Sequence, residues 1–210
     1  MNKKTLGIAI PYYKNSEQCE IAFKRLIDSL DNQLNDDMIL YVYEDGQISK
    51  WLDFYKKSNI KIEQCVENKG VAYARNKALD YLIDKVNYIL FIDSDDIVEN
   101  NYLEVIYKYC LDGTYEIVES TFYVNGTQAA FNPNAVRTGV AGSALKTSII
   151  GDIRFDKKLQ IGEDTTFMKN VVDLSKYRKI HAPTNYIYQY GLNDNSLIMR
   201  YNRKEIKEKR

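Results

Sequence analysis

The sequence predicts an α/β fold: a mostly parallel central sheet flanked by helices, with a smaller and more irregular second half. Three observations carry that expectation. Short apolar runs bounded by turn residues alternate with stretches whose apolar residues recur at helical spacing. The alternation holds from residue 6 to about residue 110. Beyond that point the pattern changes to a hairpin signal and less regular segments. Alternation of this kind builds a parallel sheet, because parallel neighbours need a long crossover between them.

The elements follow in order. LGIAI (6–10) is a short apolar run stopped by Pro11, a strand entering a loop. Phe23, Leu26, Ile27 and Leu30 share one helical face, which predicts a helix over 17–31. MILYVY (38–43) and IKIEQCV (60–66) are strands, and 71–83 is a helix with Ala74, Ala78 and Leu82 on one side. Residues 88–92 form the next strand, and Leu103, Ile106, Tyr107 and Cys110 mark another helix. EIVESTFYV (116–124) leads through Asn125-Gly126 into TQAAF, a hairpin signal, since Asn-Gly suits a type I′ turn. A short helix is expected over 141–150, a longer one over 162–174 with acidic residues at its start, and a last strand over 185–190.

At 210 residues the chain is long enough for one domain with a substantial core. Acidic and basic residues balance at 29 each, so non-specific nucleic-acid binding, which needs a basic excess, is not expected. The basic tail RKEIKEKR (203–210) reads as a solvated helix end. Cys19, Cys65 and Cys110 are widely spaced, with no CxxC and a single His, which argues against a zinc site and for buried thiols. Neither a signal peptide nor a membrane span is evident, so stable membrane insertion is not expected. The expected location is the cytoplasm, with peripheral contact at a membrane surface left open.

In open α/β sheets ligands bind beyond the carboxyl ends of the strands. Pro11, Tyr12 and Tyr13 follow the first strand, Glu44 and Asp45 the second. The third leads to Asn68, Lys69, Gly70 and, a helical turn on, Arg75; the fourth ends in Asp93, Ser94, Asp95 and Asp96. Three carboxylates within four positions repel one another, and a bound Mg²⁺ or Mn²⁺ would relieve that repulsion. Arg75 and the close backbone approach allowed at Gly70 would add positive potential for a diphosphate. The alternative is that the carboxylates cap a helix beginning near Val98.

These segments together resemble the family-two glycosyltransferases, whose fold is the Rossmann-like GT-A fold. IAIPYYKN resembles the opening V-P-x-Y-N segment and VYEDGQ the D-D-G-S turn. ENKGVAYARNKAL matches N-x-G-x-x-x-A-R-N-x-G, FIDSDD the D-x-D, and IGEDTTF the late E-D motif. IYQYGLNDNSL resembles a tyrosine-rich segment that often follows. The resemblance runs from about residue 5 to about residue 200. It implies a single domain, with a nucleotide-binding half over about 1–98, a sugar and acceptor half over about 99–200, and the tail 201–210.

The family implies a UDP-sugar donor, an acceptor hydroxyl of unspecified type, inversion at the anomeric carbon, and Mn²⁺ or Mg²⁺ as cofactor. Carried over by motif position, Tyr13 and Asp45 would contact uracil, Asn68 and Arg75 would line the nucleotide side, and Asp93 would face the ribose. Pro11, Gly70 and Ser94 belong to the same donor segments. Asp95 would bind the metal and Asp164 would be the catalytic base. Glu163, Asp96, Gly142 of the small-residue GSALKTSI segment, His181 and Asn193 are further candidates, the last two as oxygen or nitrogen ligands. Glu44 and Gln47 depart from D-D-G-S, and Gly191 stands where the family often has Arg. Blander readings stay open: Asp45-Gly46 as a simple turn, Glu163-Asp164 as a helix cap, Tyr188 and Tyr190 as strand packing, His181 as a structural residue. A non-catalytic nucleotide-sugar-binding module is the alternative function.

Overall fold

A computed structural model of the chain describes residues 3–189, apart from 56, 126, 129–134, 136 and 174. Its strands are β1 (Lys4–Tyr12), β2 (Met38–Asp45), β3 (Ile60–Cys65), β4 (Val86–Phe91), β5 (Ile97–Val98), β6 (Ile117–Val124), β7 (Thr127–Gln128), β8 (Ser143–Lys146) and β9 (Lys179–Tyr188). Its helices are α1 (Glu17–Asp31), α2 (Val71–Leu82), α3 (Tyr102–Asp112), α4 (Thr147–Ile150) and α5 (Glu163–Val171). The strands form one sheet in the order β3-β2-β1-β4-β8-β6-β9-β5, with β7 added to β6. β3, β2, β1, β4, β6 and β9 point the same way, while β8, β5 and β7 run against them.

Burial on both faces explains the near-continuous apolar runs of the central strands. Leu6, Ile8, Ile10 and Tyr12 of β1 face a core shared with Phe23, Leu26 and Ile27 of α1 and Leu103 and Ile106 of α3. Ala9 faces the other side, where Ala74, Ala78 and Leu79 of α2 meet Phe91, Phe155 and Phe167. The α1 start is capped: the Ser16 hydroxyl accepts from the Cys19 amide at 3.2 Å. β6 and β7 pair as a hairpin, with Val124 opposite Thr127. Asn125 takes φ 46°, as the first central position of a type I′ turn requires.

Four expectations need correction. The stretch 141–150 is not a helix throughout: Ser143–Lys146 is strand β8, and α4 is one turn. β8 fills the gap between β4 and β6, so Ala144 and Leu145 are buried on opposite faces. A short apolar run buried on both sides has no period to separate strand from helix. The last strand starts at Lys179, not 185. Its register against β6 jumps from Ser120↔Ala182 to Thr121↔Asn185, and Pro183 falls in the irregularity, where its missing N–H is tolerated. The helix begun at Glu163 ends at Val171 rather than 174. No helix begins near Val98; that residue pairs with Tyr186 in β5–β9, and α3 starts at Tyr102.

Candidate active site

The carboxyl ends of β1, β2, β3 and β4 lie side by side because these strands are parallel and adjacent. Beyond them opens a cavity of about 380 Å³. Pro11, Tyr13, Asp45, Asn68, Gly70, Arg75, Asp93, Ser94 and Asp95 line it from the first half of the chain. Glu163 and Asp164 line it from the start of α5. Two carboxylates separated by 69 positions, Asp95 and Asp164, therefore share one concave space.

One wall is built on Asp45, buried at the end of β2. Its oxygens accept from the amides of Lys69 at 2.8 Å and Gly70 at 2.7 Å, folding the loop before α2 over the strand end. Glu44 replaces an aspartate here without loosening the turn. Its longer, fully buried side chain accepts from the Ser49 amide at 2.9 Å, Gln47 Nε2 at 3.0 Å and Gln64 Nε2 at 2.6 Å. The two departures from D-D-G-S thus complement each other. Gly46 sits at φ +90°, and a Cβ there would come within 2.7 Å of the Tyr13 ring and 3.3 Å of Asn68 Cβ. Gly46→Ala is expected to lose about 1–3 kcal/mol of stability through that backbone region and to displace Tyr13. Denaturant unfolding and a UDP titration would check both effects; unchanged values would show that the ring does not depend on this contact.

Another part of the lining is tied together by Arg75, one turn into α2. Its guanidinium donates from Nη2 to Asp93 Oδ1 and from Nη1 to Glu163 Oε1, both at 2.7 Å. It also lies over the Phe155 ring at 5.5 Å, which in turn stacks on Phe167 of α5 at 3.9 Å. Burial alone would lower the Arg75 pKa, but Asp93, Glu163 and Asp164 more than offset this and the net shift is upward. The Glu163 carboxyl is raised above its ordinary value, because desolvation outweighs the attraction of Arg75. Arg75 lines the cavity as expected, with its guanidinium paired to two carboxylates. Those two bonds tie the D-x-D turn to the start of α5.

Asp95 is half-buried on the cavity wall. Burial, reinforced by Asp93, pushes its carboxyl up to about 6. Asp164 accepts from the Thr165 amide through Oδ1 at 2.7 Å. Its Oδ2 would lie 3.3 Å from a Cβ placed on Gly139, so no side chain crowds it from that residue.

Three candidates do not reach the cavity wall. Asp96 is fully buried beneath the D-x-D turn, accepting from Tyr186 Oη at 2.6 Å and the Gln189 amide at 2.9 Å. Gly142 is a backbone joint: its amide donates to the Phe91 carbonyl at 2.9 Å, and at φ +72° a Cβ would meet Ser120 Oγ at 2.9 Å. His181 stands on β9 opposite Glu119, with Nε2 3.1 Å from Thr121 Oγ1, and burial lowers its pKa. Asn193 and Tyr190 lie outside the described residues. Cys19 is buried but on the cavity wall, and Cys65 is only half-buried. Sequence reasoning missed Asn15, Gln160, Ile161 and Gly162 as lining residues. The last three adjoin the E-D motif, which is the signal that could have found them. Tyr188, read chiefly as strand packing, lines the cavity and also stacks on Phe122 at 6.0 Å.

The model of the family described as "Glycosyl transferase family 2" matches residues 8–178. The chain belongs to glycosyltransferase family 2. The glycosyltransferase GlyA of Streptococcus pneumoniae is 29% identical over 124 residues, covering 56% of this chain and 17% of its own length. The minor teichoic acid biosynthesis protein GgaA of Bacillus subtilis is 25% identical over 223 residues, covering 92% of this chain and 49% of its own. The chain thus spans half or less of these relatives. Among solved structures, Staphylococcus aureus TarS (residues 1–349) in complex with UDP-GlcNAc superposes with a TM-score of 0.70 at 18% identity, covering 89% of this chain and 59% of that one. That likeness establishes the fold, and this family-2 member has the GT-A architecture expected from its sequence. No helix among the described residues is long and apolar enough to cross a membrane.

Proposed function

We propose that this family-2 chain is an inverting glycosyltransferase that moves a sugar from a UDP-sugar to an acceptor hydroxyl, with Asp164 as the general base. The observation that carries this reading is the shared cavity. Asp164 approaches it from the start of α5, while Tyr13, Asp45 and Asp95 border it at the strand ends. The UDP-GlcNAc complex of TarS supports a nucleotide-sugar donor in the same fold.

The residues divide the work. Tyr13 offers a ring face to uracil, and Asp45 has lone pairs left to accept the base's imide N–H. An acceptor hydroxyl attacks the anomeric carbon from the side away from the leaving diphosphate. Asp164 Oδ2 takes the hydroxyl proton as the new bond forms, and UDP departs with the electron pair of the broken C–O bond. The Thr165 amide keeps Asp164 oriented. Asp93, fixed by Arg75, faces the ribose.

Among the described residues no three His, Cys, Asp or Glu side chains are arranged to hold a metal ion. A nucleotide-bound Mg²⁺ needs fewer protein ligands, because phosphates and waters complete its shell. Asp95 fits that sparser need: its carboxylate is half-buried, borders the cavity, and is destabilised by burial and by Asp93. A Mg²⁺ or Mn²⁺ held by Asp95 would supply positive charge to the departing diphosphate.

The donor assignment is tested by incubating the pure protein with UDP-glucose, UDP-galactose and their N-acetyl forms in the presence of Mn²⁺. Slow release of UDP from one preferred donor is expected. Binding without release or transfer from any of them would instead favour a nucleotide-sugar-binding module. GgaA is named for minor teichoic acid biosynthesis, so teichoic acid and its precursors are the first acceptors to try with the preferred donor.

A further inference from the structure

The D-x-D turn is pinned from below by residues far away in sequence. The turn itself closes through the Asp96 amide, which donates to the Asp93 carbonyl at 3.2 Å. Tyr186 of β9 is fully buried beneath it. Its hydroxyl accepts from the Asp93 amide at 2.9 Å and donates to Asp96 Oδ2 at 2.6 Å. The other Asp96 oxygen accepts from the Gln189 amide at 2.9 Å. The ring of Tyr186 is held flat against Phe122, 5.5 Å away and 10° from parallel, and a Cβ on Gly142 would touch it at 3.0 Å. One hydroxyl and one carboxylate, both removed from solvent, therefore join the backbone on either side of Asp95 to the chain on either side of Tyr188.

A buried carboxylate is costly, and a family-2 chain needing only a packed core here would be at least as stable with apolar side chains. What the pair supplies is position. Asp95 and Tyr188 border the same cavity, and the Asp96–Tyr186 hydrogen bond joins the chain beside each of them. We infer that Asp96 and Tyr186 are positioning residues: they hold Asp95 where its carboxylate meets a divalent cation on a nucleoside diphosphate. This rests on the donor-site reading above. Neither side chain lines the cavity.

The test compares the parent chain with Tyr186→Phe, which keeps the ring and removes the hydroxyl, and with Asp96→Asn, which keeps the shape and replaces the carboxyl by an amide. UDP binding is measured by calorimetry without metal and across a Mn²⁺ titration, after circular dichroism has established folding. Both variants should need about 10–100-fold more Mn²⁺ for the same enhancement, as losses of groups behind a metal ligand typically do, while metal-free UDP affinity stays at the parental value. A purely structural role would lower both affinities together. That result, an unchanged Mn²⁺ requirement, or failure of both variants to fold would overturn the inference. Absence of any Mn²⁺ enhancement in the parent would overturn the donor-site reading and this inference with it. Enhancement in the parent that neither variant alters would overturn the inference alone.

Discussion

Asp164→Asn is expected to bind UDP as the parent does and to lose sugar transfer by about 10²–10⁴-fold, the usual weight of a positioned general base. The substitution is well suited to the question. An asparagine oxygen can still accept from the Thr165 amide, so the start of α5 keeps its local bond. What disappears is the basicity of the oxygen that faces Gly139 and the cavity. Initial rates of UDP release with a saturating acceptor, beside UDP affinity from calorimetry, separate the two functions. Transfer at the parental rate would remove Asp164 from the mechanism. Parallel loss of UDP affinity would place it in donor binding.

Replacing Arg75 has the largest expected effect on stability. Arg75→Met leaves Glu163 and Asp93 facing each other without the cation between them, and Glu163 is only 9% exposed in its side chain. Breaking a buried pair by removing one partner typically costs about 3–5 kcal/mol. Denaturant unfolding at neutral pH should show a loss of that order. The sign with pH follows from Glu163. Its carboxyl is already raised in the folded protein and rises further without Arg75. The folded variant then holds a proton that the unfolded chain has lost, so its stability falls as pH climbs above the ordinary value of 4.5. The penalty should therefore shrink on acidification toward that value. Adding Glu163→Gln should recover part of the loss, because the two side chains are coupled. Additive losses would show that the ion pair is not what joins α2 to α5.

The fold was readable where local pattern and burial agree. The helix over 17–31 has its apolar face in the sequence, and the observed bounds match. The alternation of the first half forces a parallel sheet, and a parallel sheet forces its strand ends to one edge. That is why Tyr13, Asp45, Asn68 and Asp93–Asp95 could be placed together before any coordinates. β8 was misread because Ala144 and Leu145 are buried on opposite faces and carry no helical or strand period. β9 runs through Pro183 with a register shift, so the alternation visible over 185–190 marks only its later part. The partners of Arg75 and Asp96 are hidden from the sequence for another reason. Arg75 is spent on Glu163, 88 positions away, and Asp96 on Tyr186, 90 positions away. Spacing along the chain says which side chains reach a strand end, but not which of them neutralise one another there.

The central claim is that Asp95 completes a cation site on a UDP-sugar's diphosphate inside this cavity. Calorimetric titration of the parent and of Asp95→Asn with UDP, each with and without Mn²⁺, tests it most directly. Mn²⁺ should tighten UDP binding in the parent and do far less in the variant, with the two proteins alike when metal is left out. Equal enhancement in both, or none in the parent, would contradict the account.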